Sequence, residues 1–334
     1  MSPPSLGRVR IDDIRAAAAR LDGLLHRTPL LSASALGAGA KVRLLLKCES
    51  FQKTGSFKPR GALNIVLSLS NAERERGLVT VSAGNHAQAV AWAARHVQAA
   101  CTVVMPSGAP RSKIDAVRGY GAEVILHDDR KTVFDRLEAE RERTGATFIH
   151  PFDDPIGIAG AGTVALEILA EAPEVNAVVV PVGGGGLMAG VASAVKAVRP
   201  RCRVIAVELA EGPGMGPAIA AGKPVPVSRP TDTLADGMTP PFVGAIPLAV
   251  ARECVDEIVT VTEEEIREAM RTLATRAKLY VEGSGAAATA AVIAGKVRMR
   301  EGALVVALVS GGNVDPERWI TLFQTPGATV GGEA

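Results

Sequence analysis

Short apolar runs rich in β-branched residues alternate with alanine-rich stretches of helix length along most of this chain. The apolar runs lie at residues 42–46, 78–81, 102–105, 123–126, 178–182, 204–207 and 304–309. The helix-length stretches lie at residues 11–25, 86–96, 164–171, 187–198 and 262–277. Continuous apolar runs indicate strands buried on both faces, and the stretches between them can provide the crossovers of parallel strands. The alternation predicts an α/β fold with mostly parallel sheets.

The chain is long enough for two domains, because its 334 residues exceed the roughly 150 residues of an ordinary domain. The predicted strands between residues 78 and 126 form one compact three-strand set flanked by helices, and the later strands belong to another set. We expect a large domain with an open, twisted, mostly parallel sheet, made by residues 1–67 and 149–334. A smaller, mobile three-layer α/β domain of residues 68–148 is expected to be inserted into it.

The composition argues against several classes of protein. The net charge is +2, aromatic residues make up 3% and no basic block occurs, so we expect no nucleic-acid partner. No segment has the ~20 uninterrupted apolar residues of a membrane span, and the N-terminus lacks the apolar core of a signal peptide. The four cysteines lack the CxxC spacing of a metal site. We expect a cytoplasmic protein with no membrane partner.

Four consecutive glycines, Gly183, Gly184, Gly185 and Gly186, follow an apolar run, and Leu187 then opens an alanine-rich stretch. Glycine lets the backbone turn tightly and bring its N–H groups against an anion, and a helix N-terminus adds positive potential. The run is neither a Walker loop nor a dinucleotide fingerprint. A tight turn with close helix packing explains one or two glycines, whereas four in a row predict a phosphate-binding loop.

Lys58 lies in the run TGSFKPRG of residues 54–61. A lysine in such a loop is most often a solvated charge, and lysine is a nucleophile only when it is neutral. A carbonyl cofactor such as pyridoxal 5'-phosphate (PLP) captures a neutral lysine as a Schiff base. Lys58 alone does not decide between these two roles. The decision rests on four segments taken together, which are ESFQKTGSFKPRGA at residues 49–62, SAGNHAQ at 82–88, the glycines at 183–186, and SGGN at 310–313.

Together these four segments resemble the threonine dehydratase and serine racemase family, which belongs to the fold-type II, tryptophan-synthase-β-like PLP enzymes. The resemblance extends over about residues 28–319, and the motifs stand in the order of that family. It implies that Lys58 binds PLP, that Asn85 bonds its ring hydroxyl, that residues 183–187 hold its phosphate and that Ser310 bonds its pyridine nitrogen. The further residues implied around the cofactor are Phe57, Gly237, Glu282 and Gly311. Those implied around the substrate are Ser82, Ala83, Gly84, His86 and Phe152.

The chain departs from the racemase-like members of that family at three positions. Ala83 stands where those members have a serine that transfers a proton, and Phe152 stands where they have asparagine. Those members also bind a divalent cation through a glutamate, matched here by Glu208, and an aspartate, replaced here by Gly214. With one carboxylate missing, a hard-cation site loses ligand charge, so we expect no metal, although Glu208 is a candidate ligand.

These departures favour elimination over racemisation, with Lys58 as the sole base. The expected activity is that of an L-threonine and L-serine ammonia-lyase acting on a small amino acid. Alternatives that stay open are a lyase for another hydroxy amino acid such as threo-3-hydroxyaspartate, or a serine racemase. A β-replacement synthase and a PLP- or amino-acid-binding protein without turnover are less favoured. Relatives of this kind are commonly oligomers, so a homodimer or homotetramer is expected.

Overall fold

The computed structural model describes residues 9–129, 132–228, 230 and 232–324. Within these residues the strands are β1 Leu30–Ser32, β2 Arg43–Cys48, β3 Leu78–Val81, β4 Cys101–Pro106, β5 Glu123–His127, β6 Thr147–Phe148, β7 Ala177–Pro181, β8 Arg203–Leu209, β9 Glu257–Val261 and β10 Leu304–Val309. The helices are α1 Ile11–Leu21, α2 Ser34–Gly37, α3 Lys58–Ser68, α4 Asn71–Glu75, α5 Asn85–His96, α6 Arg111–Gly119, α7 Val133–Thr144, α8 Pro155–Glu171, α9 Gly186–Val198, α10 Met215–Ala221, α11 Ala245–Cys254, α12 Glu263–Thr272, α13 Gly283–Ile293 and α14 Pro316–Ile320. In this described part of the chain, no helix combines the length and the apolarity needed to cross a membrane.

The larger sheet has the strand order β1-β2-β10-β7-β8-β9, and every neighbouring pair is parallel except β1 with β2. Along β7, Val178 and Val180 pack into a core shared with α8, α9 and α11. Ala177 and Val179 point to the opposite face and pack into a core shared with α12 and α13. Helices therefore cover both faces, which explains why these strands are apolar throughout.

The smaller sheet has the order β5-β4-β3-β6 and is parallel throughout. The expectation of three strands here was wrong, because β6 adds a fourth strand beside β3. With two residues, β6 is too short to give an apolar pattern in the sequence. The sheet is formed by residues between 78 and 148, and the domain boundaries at 67/68 and 148/149 stay a prediction.

The predicted strands are all present, but β1 and β9 as well as β6 were not predicted, and α8 begins at Pro155 rather than at residue 164. The first half of α8 was not predicted because it contains glycines, and glycine has low helix propensity. They are needed for close packing: a Cβ on Gly160 would overlap the carbonyl of Arg60 in α3, and a Cβ on Gly162 would lie 2.8 Å from the carbonyl oxygen of Gly190 in α9.

A buried cluster of four charged side chains joins β2, α3 and α8. Arg60 is 2% exposed and donates to both carboxylate oxygens of Glu49, at 2.7 and 2.8 Å, and to Glu167 at 2.6 Å. Lys47 is fully buried and lies 2.7 Å from the other oxygen of Glu167. Burial alone would lower the pKa of Arg60, but Glu49 and Glu167 outweigh burial and raise it. The cluster is therefore fully paired, and it anchors the first turn of α3.

Arg60→Met should strongly destabilise the protein, because it leaves the buried carboxylates of Glu49 and Glu167 without their main partner. Breaking a buried ion pair in this way costs about 3–5 kcal/mol. Arg43→Met is the matched control, since Arg43 and Glu174 form an exposed pair at 3.9 Å, worth less than about 1 kcal/mol. Urea denaturation of both variants measures the difference, and equal losses would contradict the role of the cluster.

Candidate active site

A cavity of about 900 Å³ lies where the carboxyl ends of strands from both sheets face each other. It is lined by residues that follow four strands: Ser82 after β3, His150 after β6, Gly183 after β7 and Ser310 after β10. Ligands of open α/β sheets bind at this edge, where the loops after the strands converge. The cavity is therefore the candidate active site.

The structure brings nearly all the predicted site residues to this cavity. Its lining includes Phe57, Lys58, Ser82, Ala83, Gly84, Asn85, His86, Phe152, Gly183, Gly184, Gly185, Gly186, Leu187, Gly237, Glu282 and Ser310. Gly311 does not line the cavity but lies behind it, where it pairs with Ser56 in an isolated β-bridge. A Cβ on Gly311 would overlap the carboxylate of Glu282, so a residue without a side chain is needed here to leave room for Glu282.

Lys58 is the first residue of α3, and its side chain enters the cavity. Its Nζ donates to the carbonyl oxygen of Pro151 at 2.8 Å and lies 5.2 Å from the centre of the Phe57 ring. Burial lowers the pKa of Lys58 to about 8, although Glu282 partly opposes this shift. With this pKa, a much larger fraction of the amine is neutral near neutral pH than in an ordinary lysine, as a Schiff-base lysine needs.

The glycine loop offers unused hydrogen-bond donors. The backbone N–H groups of residues 183–187 donate to no other residue in the described part of the chain. Gly186 and Leu187 begin α9, so the positive end of that helix adds to the potential of the loop. This arrangement suits a phosphate group.

Two of the loop glycines are required by their surroundings. A Cβ on Gly184 would overlap the ring of Phe152, which packs directly on the loop. Gly185 has φ +93°, and a Cβ there would lie 2.6 Å from the Cβ of Pro247 in α11. The glycine loop is therefore enclosed by neighbouring segments as well as shaped for an anion.

Asn85, at the start of α5, has its amide held at both ends. Its Nδ2 donates to Glu282 at 2.7 Å, and its Oδ1 accepts from Nδ2 of Asn313 at 2.8 Å. Asn313 also donates to the carbonyl oxygen of Thr54 at 2.7 Å. Asn313 fixes which way the amide points, so one Nδ2 hydrogen of Asn85 stays available for a ligand. Asn313 is part of the motif SGGN, but only the fold shows that its partner is Asn85.

Ser310 lies directly after β10, and its Oγ donates to the carbonyl oxygen of Ser284 at 3.2 Å. The carbonyl oxygen of Ser310 accepts from the N–H of Phe57 at 3.0 Å, which ties this strand end to the segment of Lys58. The Oγ of Ser284 is buried and has no hydrogen-bond partner in the described residues. Hydroxyl groups are thus concentrated at this end of the cavity.

The segment after β3 ends at the N-terminus of α5, where the N–H groups of Asn85 and His86 donate to no described residue. The N–H of Gly84 instead donates to Oγ of Ser82 at 3.1 Å. Nε2 of His86 donates to the carbonyl oxygen of Ile149 at 3.0 Å. Burial, with Lys58 second, lowers the pKa of His86 to about 3. The His86 side chain is therefore neutral and held in place. The N–H groups of Asn85 and His86 form a site that suits a carboxylate.

In the segment after β6, sequence reasoning named only Phe152 as a site residue. The ring of Phe152 meets His150 edge-on at 4.9 Å and Phe242 at 5.6 Å. Nδ1 of His150 accepts from the N–H groups of Phe152 at 3.3 Å and Asp153 at 2.9 Å. His150 and Phe152 make a largely aromatic wall of the cavity that packs against the glycine loop. Phe242 packs on Phe152 without lining the cavity, and no signal in the sequence places it there.

A second feature that the sequence did not indicate is an ion pair at the cavity between Lys113 of α6 and Asp236, at 2.7 Å. It joins the part of the chain that carries the smaller sheet to the part that carries the larger one. The two residues are far apart in sequence. Lys113 stands in no motif, and Asp236 directly precedes the predicted site residue Gly237, but only the fold shows that the two side chains pair.

Glu208 lies outside the cavity and is used as a helix cap. Its carboxylate accepts from the N–H groups of Gly214 at 2.7 Å, Met215 at 2.5 Å and Gly216 at 2.9 Å, at the start of α10. In the described residues no group of three or more His, Cys, Asp or Glu could hold a metal ion. The Glu208 carboxylate therefore caps α10, and the expectations about a metal at Glu208 stay predictions.

The residues fit PLP by three observations. Lys58 provides an amine with a lowered pKa, the glycine loop provides free N–H groups for a phosphate, and hydroxyl groups lie at the end of β10. Such a lysine and loop, together in a cavity between a mostly parallel and a parallel sheet, define an enzyme that binds a phosphorylated carbonyl cofactor.

Comparison with known proteins assigns the family. The family model described as "Pyridoxal-phosphate dependent enzyme" matches residues 21–311, and the chain belongs to this family. It is 42% identical to the catabolic L-threonine dehydratase TdcB of Escherichia coli K12, over 93% of this chain and 94% of that protein. The threonine deaminase of T.th. superimposes with a TM-score of 0.86 at 44% identity, covering 92% of this chain and 99% of that one. Maize serine racemase gives 0.89 at 37% identity, covering 95% and 98%. The predicted family, α/β fold class and PLP cofactor are confirmed.

The ionisation of Glu282 should make stability depend on pH. Burial raises the pKa of Glu282 to about 8, and Asp236 adds to the shift, whereas an unfolded glutamate titrates near about 4.3. Between these two values the folded state keeps a proton that the unfolded state has released. Rising pH over this range therefore lowers the free energy of unfolding.

Chemical denaturation at several pH values between about 5 and about 8 tests this dependence in the wild type and in Glu282→Gln. The stability of the variant relative to wild type should rise with pH, because glutamine cannot ionise. The exposed Glu75→Gln serves as the control and should follow the wild type. Parallel curves for Glu282→Gln and wild type would contradict the assignment.

Proposed function

We propose that this protein is a PLP-dependent L-threonine and L-serine ammonia-lyase. The observation that carries the proposal is that Lys58, with a pKa of about 8, shares the cavity with Ala83, whose methyl group cannot transfer a proton. The names of the E. coli dehydratase and the T.th. deaminase support the same activity.

The proposed roles of the chain's residues follow from their positions. The N–H groups of Asn85 and His86 hold the substrate carboxylate, residues 183–187 hold the cofactor phosphate, and Ser310 bonds the ring nitrogen. Bound PLP supplies the electron sink for the charge that develops at Cα. Lys58 Nζ takes the Cα proton, and its lowered pKa suits a base that acts near neutral pH.

Loss of the β-hydroxyl as water leaves an enamine, which tautomerises to an imine. Hydrolysis of the imine consumes one water and releases ammonia. The products are 2-oxobutanoate from threonine and pyruvate from serine. The aromatic wall at Phe152 suits the methyl group of threonine, because apolar surface gains from contact with a methyl. We also propose a homodimer or homotetramer, the two-domain division at residues 67/68 and 148/149, and a cytoplasmic location.

Purified protein should release keto acid from L-threonine and L-serine, measured by a coupled dehydrogenase, and threo-3-hydroxyaspartate should be tested alongside. Lys58→Ala should lose turnover and the visible absorption of the lysine-bound cofactor while keeping its circular dichroism spectrum. Lys223→Ala, which changes an exposed lysine outside the cavity, is the control. No keto acid from any of these substrates would refute the lyase. Cysteine formed from sulfide would indicate a β-replacement synthase instead.

The similarity to maize serine racemase makes racemisation the second candidate. Because Ala83 has no hydroxyl, the wild type should give no D-serine while it consumes L-serine. Ala83→Ser should add measurable D-serine formation, since it returns a hydroxyl to the substrate side of the cavity. Chiral chromatography of recovered serine provides the measurement, and D-serine from the wild type at a rate close to that of pyruvate would favour the racemase.

A further inference from the structure

Asp153 links two walls of the cavity through the N-terminus of α11. Its carboxylate accepts from the N–H groups of Ala245 and Ile246, both at 2.9 Å, although these residues are far from it in sequence. The residue before the helix is Gly244, and a Cβ there would lie 2.7 Å from the carboxylate of Asp153. The helix is thus capped by a carboxylate from a distant segment rather than by a residue of its own.

The same end of α11 holds the glycine loop. The N–H of Gly244 donates to the carbonyl oxygen of Gly184 at 3.0 Å. Pro247, in the first turn of α11, packs on Gly185. Gly184 and Gly185 of the glycine loop are therefore positioned by the N-terminus of α11, which Asp153 caps.

Asp153 is also covalently joined to the aromatic wall, because it follows Phe152. The Phe152 ring packs on Gly184, and its carbonyl oxygen lies 2.8 Å from where a Cβ on Gly186 would be. The N–H of Asp153 donates to Nδ1 of His150, which holds the turn of this segment. Asp153 therefore closes a ring of contacts that runs from Phe152 through α11 to the glycine loop and back to Phe152.

We propose that Asp153 is a positioning residue that sets the distance between the phosphate-binding N–H groups and the aromatic wall. Its carboxylate touches neither substrate nor cofactor and acts through α11. Loss of the carboxylate should release the end of α11, move Gly184 and Gly185, and loosen the wall that accepts the substrate methyl group. Cofactor phosphate binding and the preference for threonine over serine should then weaken together.

The affinity for the cofactor distinguishes the positioning role of Asp153 from a purely structural role. Cofactor-free Asp153→Ala is titrated with PLP and, separately, with pyridoxal, which has the aldehyde but no phosphate. The affinity for PLP should fall about tenfold, which is the order of effect expected from a lost helix cap. The affinity for pyridoxal should not change, because Lys58 itself is undisturbed. Asp153→Asn, which keeps one acceptor but no charge, should give a smaller loss and serves if the alanine variant does not fold.

Ser70→Ala is the matched control, since Ser70 caps α4 and does not line the cavity. It should lose stability without changing the affinity for PLP. A variant of Asp153 that behaves like Ser70→Ala, or that loses PLP and pyridoxal equally, would overturn the proposal.

The second measurement is the ratio of kcat/KM for threonine to kcat/KM for serine, and this part rests on the proposed lyase function. The ratio should fall several-fold in both variants of Asp153. An unchanged ratio beside weaker PLP binding would overturn the coupling to the aromatic wall. Wild-type protein without turnover would refute the lyase, while the comparison of PLP with pyridoxal would still decide whether Asp153 positions the loop.

Discussion

The site depends on where the buried positive charge near the start of α3 is neutralised. Arg60 takes the carboxylates of Glu49 and Glu167, and Lys58, two residues earlier, is left with the carbonyl of Pro151. Desolvation is then the dominant influence on Lys58 and lowers its pKa to about 8. If Lys58 instead met a carboxylate directly, the charged form would be stabilised, and its amine would be a poor nucleophile and base. The ion cluster thus anchors the helix and holds Glu49 and Glu167 on Arg60 rather than on the lysine.

The chemical groups of this site could be predicted from the sequence because they lie in short motifs. Lys58, Asn85, Ser310 and the four glycines each occur at a strand end or a helix start, where the pattern of apolar runs already placed the edge of a parallel sheet. What the motifs did not reveal is how these groups are held. Asn313 orients Asn85 from a position more than two hundred residues later, and no local pattern encodes such a contact.

Two of the elements missed by sequence reasoning, β6 and the first half of α8, lack a clear apolar pattern. β6 has two residues, and the first half of α8 contains three glycines, so neither gives a clear apolar period. These same segments frame the cavity: residues 149–153 follow β6, and the glycines of α8 allow α3 and α9 to approach closely. Predictions from local propensity failed at positions where the residue type is set by close backbone approach and by the geometry of the site. Such positions are where functional constraints are expected to override local propensity.

The choice between elimination and inversion depends on which groups near Cα can supply a second proton. Ala83 has none to give. His86 already uses Nε2–H in its bond to Ile149, and burial keeps its pKa near 3, so its ring stays uncharged at neutral pH. His150 accepts two N–H groups at Nδ1, which places its single proton on Nε2 and ties the ring to its own turn. With its lowered pKa, Lys58 is therefore the group best suited to remove the Cα proton in the proposed reaction, and without a hydroxyl at residue 83 the departure of the β-hydroxyl is the expected outcome.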